Sequence, residues 1–203
     1  MTIRRRRWSG VDPAGRTGAG FGVPLLLLVL TGLPGVAIRV QAQETWSVSR
    51  AAASRDVASL DGIIAAFYDV ISGSPGDRLD WTRDSTLYLP GVRFVIGNRT
   101  REGTFRARNI THATYAVSTG DTVRTGFHER EIHRVTQRFG PIVHVFSTYE
   151  WRRTPDGPVG GRGINSLQLF HDGQRWWITS ALWVAEDDAN PIPAEFLPRG
   201  GGS

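Results

Sequence analysis

The sequence predicts an α+β domain in which helices lie on one face of a curved antiparallel sheet, and three patterns carry that prediction. Apolar residues recur at steps of three and four over residues 56–72, and they alternate over residues 127–153 and again over 163–184. Helices first, then four long strands joined by short turns, is the order of a sheet whose helices gather on one side. With 203 residues the chain has room for one ordinary domain and a short appendage.

In chain order, residues 1–42 read as an export signal, with four arginines at 4–7, the apolar run LLLLVL at 25–30, and Val40-Gln41-Ala42 as a small-x-Ala cleavage site. The expected mature chain begins near Gln43 and is periplasmic or secreted, with no membrane attachment after cleavage. An uncleaved anchor is the alternative, but Pro24, Gly32, Pro34 and Gly35 interrupt the run and leave it short for a spanning helix. Residues 43–55 are a linker, 56–185 the domain, and 186–203 an irregular tail rich in Pro and Gly.

Within the domain, Val57, Leu60, Ile63, Ile64, Phe67, Tyr68 and Ile71 form one apolar stripe on a helix over 56–72, which Gly73-Ser74-Pro75-Gly76 stops. A short second helix over 77–84 carries Leu79 and Trp81. Strand pieces at 86–89 and 92–96 are separated by Pro90-Gly91, and 98–103 is a turn. The spacing of Ile110, His112, Tyr115 and Ala116 predicts a third helix over 105–118, although its β-branched residues and Asn109 weaken it. Then comes FHEREIHRVTQRFGPIVHVFSTYEWRR, residues 127–153, as two long strands around a Gly-Pro turn. The turn TPDGP follows at 154–158, a strand at 163–171, the turn Asp172-Gly173, and a last strand at 175–184 that holds Trp176, Trp177 and Trp183.

The hairpin concentrates ionisable groups. A period of two puts Phe127, Glu129, Glu131, His133 and Val135 on one face, and makes Val143, Val145, Ser147, Tyr149 and Trp151 a core face on the next strand. His133 beside Glu129 and Glu131 is an acid–base candidate, since carboxylates favour an imidazolium. Salt bridges to neighbouring arginines explain the same residues without catalysis. Tyr149, Asn165 and Ser180 are neutral polar groups on apolar strand faces, the type that orients a ligand. His144, and Tyr68 and Trp81 from the helical stripes, complete the candidate pocket lining.

Composition excludes several chemistries. The chain has no cysteine and no lysine, which removes thiolate nucleophiles, disulfides and Schiff bases. Residues 1–42 carry six arginines and one aspartate, and the remainder holds 18 basic and 18 acidic residues, so no nucleic-acid partner is expected for the folded part. His128 and His133 fall on opposite faces of a regular strand, and no zinc-type spacing occurs, so neither a metal nor another cofactor is expected.

The amphipathic first helix, the short Trp-bearing second helix, the 127–153 hairpin and the closing DGQRWWITSALW together resemble the nuclear-transport-factor-2-like, or SnoaL-like, superfamily over residues 56–184. The resemblance implies a cone of bent sheet wrapped around the first helix, a pocket for a small, largely apolar molecule, and a homodimer formed through the outer sheet face. Trp177, Thr179, Ala181 and Trp183 share one face of a regular last strand, where an exposed Trp pair would suit that contact. Members include isomerases, dehydratases, hydrolases and cyclases as well as proteins that only bind. Two classes therefore stay open: an enzyme of proton transfer, dehydration or cyclisation, and a non-catalytic dimeric binding or accessory domain.

Overall fold

A computed structural model describes residues 52–199. The expected export signal at 1–42 lies outside the described residues, and no helix among the described residues is long and apolar enough to cross a membrane.

The apolar stripe over 56–72 does not form one helix. Ser59 adopts extended backbone, and its hydroxyl accepts the Gly62 N–H at 2.9 Å, so the chain breaks into α1 (Ser54–Val57) and α2 (Leu60–Asp69). The break turns Asp56 inward, where Arg83 grips both carboxylate oxygens at 2.8 and 3.0 Å and reaches Asp69 at 2.6 Å. Arg83 is carried by α3 (Trp81–Ser85), whose first turn is capped by Asp80 accepting the Arg83 N–H; the preceding residues run extended rather than helical and bridge Arg78 to Thr122. Arg83 holds the Asp56 carboxyl below the usual aspartate range.

Six strands follow: the four long ones expected, one formed by the two expected pieces at 86–89 and 92–96, and one where a third helix was expected. Pro90-Gly91 distorts but does not divide β1 (Tyr88–Arg99); its register against the last strand slips between Tyr88 and Arg93. The first half of the predicted third helix is β2 (Phe105–Thr111), and only the second half is helix α4 (His112–Thr119), capped by Thr111. β2 is an edge strand with Ile110 as its one buried residue, so it carries no alternation to reveal it. The hairpin consists of β3 (His128–Phe139) and β4 (Ile142–Arg152) around Gly140-Pro141, followed by β5 (Val159–His171) and β6 (Trp176–Ala185).

The sheet order is β2-β1-β6-β5-β4-β3, antiparallel throughout except for the parallel β1–β6 pair. This is an α+β fold with N-terminal helices against a six-stranded mixed sheet. Val143 and Val145 of β4, Leu167 and Leu169 of β5, and Ile178 and Ala181 of β6 bury against Ile63, Ile64 and Phe67 of α2.

Two bulges decide which side chains face inward. In β3 the register slips at Ile132, so Glu129, Glu131 and Arg134 share the inner face while His133 pairs with Thr148 on the outer one. In β6 it slips at Thr179, which separates Trp177 from Trp183: Trp177 is buried, its ring covered by the Arg175 guanidinium at 3.7 Å and its N–H given to Asp172, while Trp183 turns toward the core. The exposed Trp pair expected from strict alternation therefore does not form. The tail is not loose: a 3-10 turn at Ala194–Phe196 docks on the outer face, stacking Phe196 on Phe146 with 5.4 Å between ring centroids and accepting the Thr148 hydroxyl proton at 2.5 Å.

Two substitutions test this packing. Asp56→Asn removes one partner of a buried ion pair and is expected to cost about 3 kcal/mol in urea unfolding at pH 7. Because the folded-state pKa is depressed, that contribution is present above the unfolded value and disappears as pH falls through the folded one, so wild type and variant converge in acid. Gly163→Ala would drive a methyl into the Tyr149 hydroxyl and the Val184 carbonyl oxygen; we expect a loss of roughly 1–3 kcal/mol, read by the same titration.

Candidate functional site

Between α2, α4 and the inner face of the sheet lies a cavity of about 230 Å³. Eight of its eleven lining side chains are aromatic, so its walls are mostly ring surface, with polar groups set among them. Phe94 of β1, Tyr115 of α4 and Trp183 of β6 meet edge to face, with ring centroids 5.3 to 5.9 Å apart. Opposite them Phe127 and Trp151 stack at 5.7 Å. Phe67, Ile71, Tyr88 and Tyr149 fill the remaining wall, and the polar lining is completed by Glu129 and Asn165.

Glu129 is the one charged residue in that lining. The residue is half-buried, and its carboxyl is largely stripped of bulk water. Burial pushes its pKa up to about 7, opposed only by the hydrogen bond it accepts from the Asn165 amide at 3.4 Å. Arginines, plentiful elsewhere in the chain, are absent from this wall.

A buried hydrogen-bond chain holds Asn165 in place. Glu131 is clasped by Arg134, whose Nε and Nη2 donate at 2.9 and 2.6 Å, and it also accepts the Ser147 hydroxyl at 2.5 Å. Ser147 has then used its proton, so the 2.6 Å contact with Tyr68 must be donated by the phenol. The Tyr68 oxygen in turn accepts from Asn165 Nδ2 at 3.1 Å, which fixes the amide orientation and leaves the same Nδ2 facing Glu129. Glu129 and Glu131, two residues apart on β3, thus do different things: one sits bare at the cavity, the other anchors the chain behind it.

The tyrosines stay protonated. Burial, reinforced by the Glu129 charge, raises the Tyr149 pKa; burial and then the charges of Asp84 and Glu129 raise that of Tyr115. Tyr88 donates its hydroxyl proton to Asp84 at 2.9 Å, and the other Asp84 oxygen faces His112 Nε2 at 2.6 Å. Asp84 is fully buried, and its carboxylate lies behind the ring wall rather than in the cavity lining.

Of the residues singled out from the sequence, Glu129, Tyr149 and Asn165 converge on the cavity, and Tyr68 and Glu131 stand directly behind them. His133 does not join them, because the Ile132 bulge places it on the outer face. His144 and Ser180 are outer-face residues as well: His144 bonds Ser166 and lies in a groove under Phe196, and Ser180 pairs with Gln168. Trp81 packs edge-on to Tyr115 and donates to the Gly120 carbonyl, outside the cavity lining. The bulge also puts His128 and His133 on one face of β3, contrary to strict alternation, yet no three His, Asp or Glu side chains converge in metal-binding geometry among the described residues.

Sequence reading missed Tyr88, Phe94, Tyr115, Phe127 and Trp183 as cavity residues. Aromatic residues at strand and helix positions look like ordinary core, and what distinguishes these is the space left between them.

No protein-family model matches the chain, and no curated protein matches it in sequence. Among solved structures it is similar to a nuclear-transport-factor-2-like protein of unknown function from Silicibacter pomeroyi, at 14% identity over 64% of this chain and 94% of that one, with a TM-score of 0.44. A candidate ketosteroid isomerase from Parabacteroides distasonis matches at 12% identity over 64% of this chain and 89% of that one, TM-score 0.43. The Kfla4162 protein of Kribbella flavida matches at 12% identity over 64% and 90%, TM-score 0.44.

Proposed function

We propose that the chain is a pocket protein that takes up a small, largely apolar molecule and transfers a proton on it, with Glu129 as the acid–base group. The observation that supports this reading is a carboxyl at the wall of an aromatic cavity, without a cationic partner and with its pKa raised to about 7. Near neutral pH such a group exists in both forms. The ionised form accepts a proton from an acidic C–H or O–H of the ligand, and the electron pair left behind settles on a ligand oxygen. Tyr149, un-ionised and within the influence of Glu129, is placed to donate to that oxygen; the carboxyl then returns the proton at another atom. That exchange is the shared step of isomerisation, dehydration and cyclisation. Arg134, Glu131, Ser147, Tyr68 and Asn165 position the carboxyl without touching the ligand.

The reading extends to surroundings. Phe139, Ile142 and Phe170 stand side by side across β3, β4 and β5 on the outer sheet face, 83%, 56% and 37% exposed, and we assign this row to a contact between two copies of the chain. Residues 1–42 are assigned to export, with cleavage before Gln43, on the arginine cluster, apolar run and small-x-Ala site. A chain that only binds its ligand would keep the cavity but show no turnover that depends on the Glu129 carboxyl.

The test is the titration of Glu129. Its side-chain carboxyl carbon, followed by ¹³C NMR, is expected to titrate near 7; a midpoint in the ordinary glutamate range removes the proposed role. Since the folded-state value is raised, the native state holds a proton that the unfolded chain has already lost, so this group lowers stability as pH rises from the unfolded value through about 7. Glu129→Gln should abolish that decline, making the variant more stable than wild type at pH 8 by at most about 3 kcal/mol, while eliminating turnover. For the outer face, Phe139→Glu with Phe170→Glu should shift sedimentation from dimer to monomer without altering the Glu129 titration.

A further inference from the structure

We infer that the cavity selects an organic cation: a small ammonium group carrying apolar substituents, seated among aromatic rings with Glu129 as its counter-ion. The inference rests on the proposed reading of the cavity as the ligand site and adds the charge of what enters it.

Three features of the wall carry it. Rings surround the space, and the faces of Tyr, Trp and Phe attract a cation by their quadrupoles, with Trp the strongest. Here Trp151 and Trp183 stand on different strands, joined by Tyr88, Tyr115 and Tyr149. The single ionisable side chain in the lining other than tyrosine is acidic, and the carboxylate of Asp84 lies behind the rings, its charge felt by both Tyr88 and Tyr115. The polar atoms are also oriented for a positive guest. Tyr88 has given its proton to Asp84 behind the wall, and Asn165 has committed its Nδ2 to Tyr68 and Glu129. An anion would meet a carboxylate, while a neutral hydrocarbon would leave Glu129 stripped of water and uncompensated. A cation compensates it, and in doing so favours the ionised form that the proposed proton transfer needs.

The test compares two probes of the same shape, choline and its uncharged carbon isostere 3,3-dimethylbutan-1-ol, by calorimetric titration of the full chain at pH 8. Choline is expected to bind at least about tenfold more tightly than the alcohol. Glu129→Gln should remove that preference, and Trp183→Leu, which keeps apolar bulk but loses the ring face, should weaken choline more than the alcohol. Equal or tighter binding of the alcohol, a preference that survives in Glu129→Gln, or no binding of choline overturns the inference. The ¹³C titration of Glu129 keeps the two readings apart. A midpoint near 7 together with tighter alcohol binding sinks the cation alone, whereas an ordinary midpoint sinks the acid–base role whichever probe binds.

Discussion

The contact on which the rest of this structure turns is the one between the Tyr68 phenol and the Ser147 hydroxyl, 2.6 Å apart in the buried interior. It ties the packing helix to the centre of the sheet, and because Ser147 is committed to Glu131, it also sets the direction of every hydrogen bond up to Asn165. Four elements, α2, β3, β4 and β5, are joined through one line of donors that ends in an ion pair with Arg134. A fully satisfied polar chain in an apolar interior tolerates only one arrangement of its members, since breaking any link strands a buried polar group. The bare carboxyl at the cavity is the far end of that line.

Charge is partitioned accordingly. Acids with structural work are met by arginine: Asp56 by Arg83, Glu131 by Arg134, Glu150 by Arg130 and Arg152, Glu186 by Arg162. Glu129 is treated differently, receiving an amide in place of a guanidinium. The difference between a held and a poised carboxylate is made by a single alternation along β3, which turns Arg130 outward to Glu150 and leaves its neighbour facing the rings.

Much of this is legible in the sequence. Periodicity placed α2, the hairpin, β5 and β6, and alternation marked Val143 to Trp151 as an inner face, because those segments bury one side against a core. Glu129, Tyr149 and Asn165 were visible as polar residues on apolar faces. What failed did so where a regular period was interrupted. The bulges at Ile132 and Thr179 reverse the parity of everything beyond them, which moved His133 outward and Trp183 inward, and no residue type at either position announces the extra step. β2 escaped for the opposite reason, since a strand exposed along nearly its whole length has no pattern to read. The Ser59 break was signalled only by a capping residue inside a continuous stripe.

The parallel pairing of β1 with β6 has a consequence for how the cavity comes into being. The first long strand of the sheet finds its inner neighbour in the last one, nearly ninety positions later, as Phe94 meets Ala181 and Ile96 meets Trp183. Hairpins can form locally, but the ring wall made by Phe94, Tyr115 and Trp183 has no partial version: until the final strand arrives, two of its sides belong to unconnected parts of the chain. The chamber therefore exists only when the last strand is paired with the first, and a molecule held within it stabilises that pairing, acting as a clasp between the two ends of the domain.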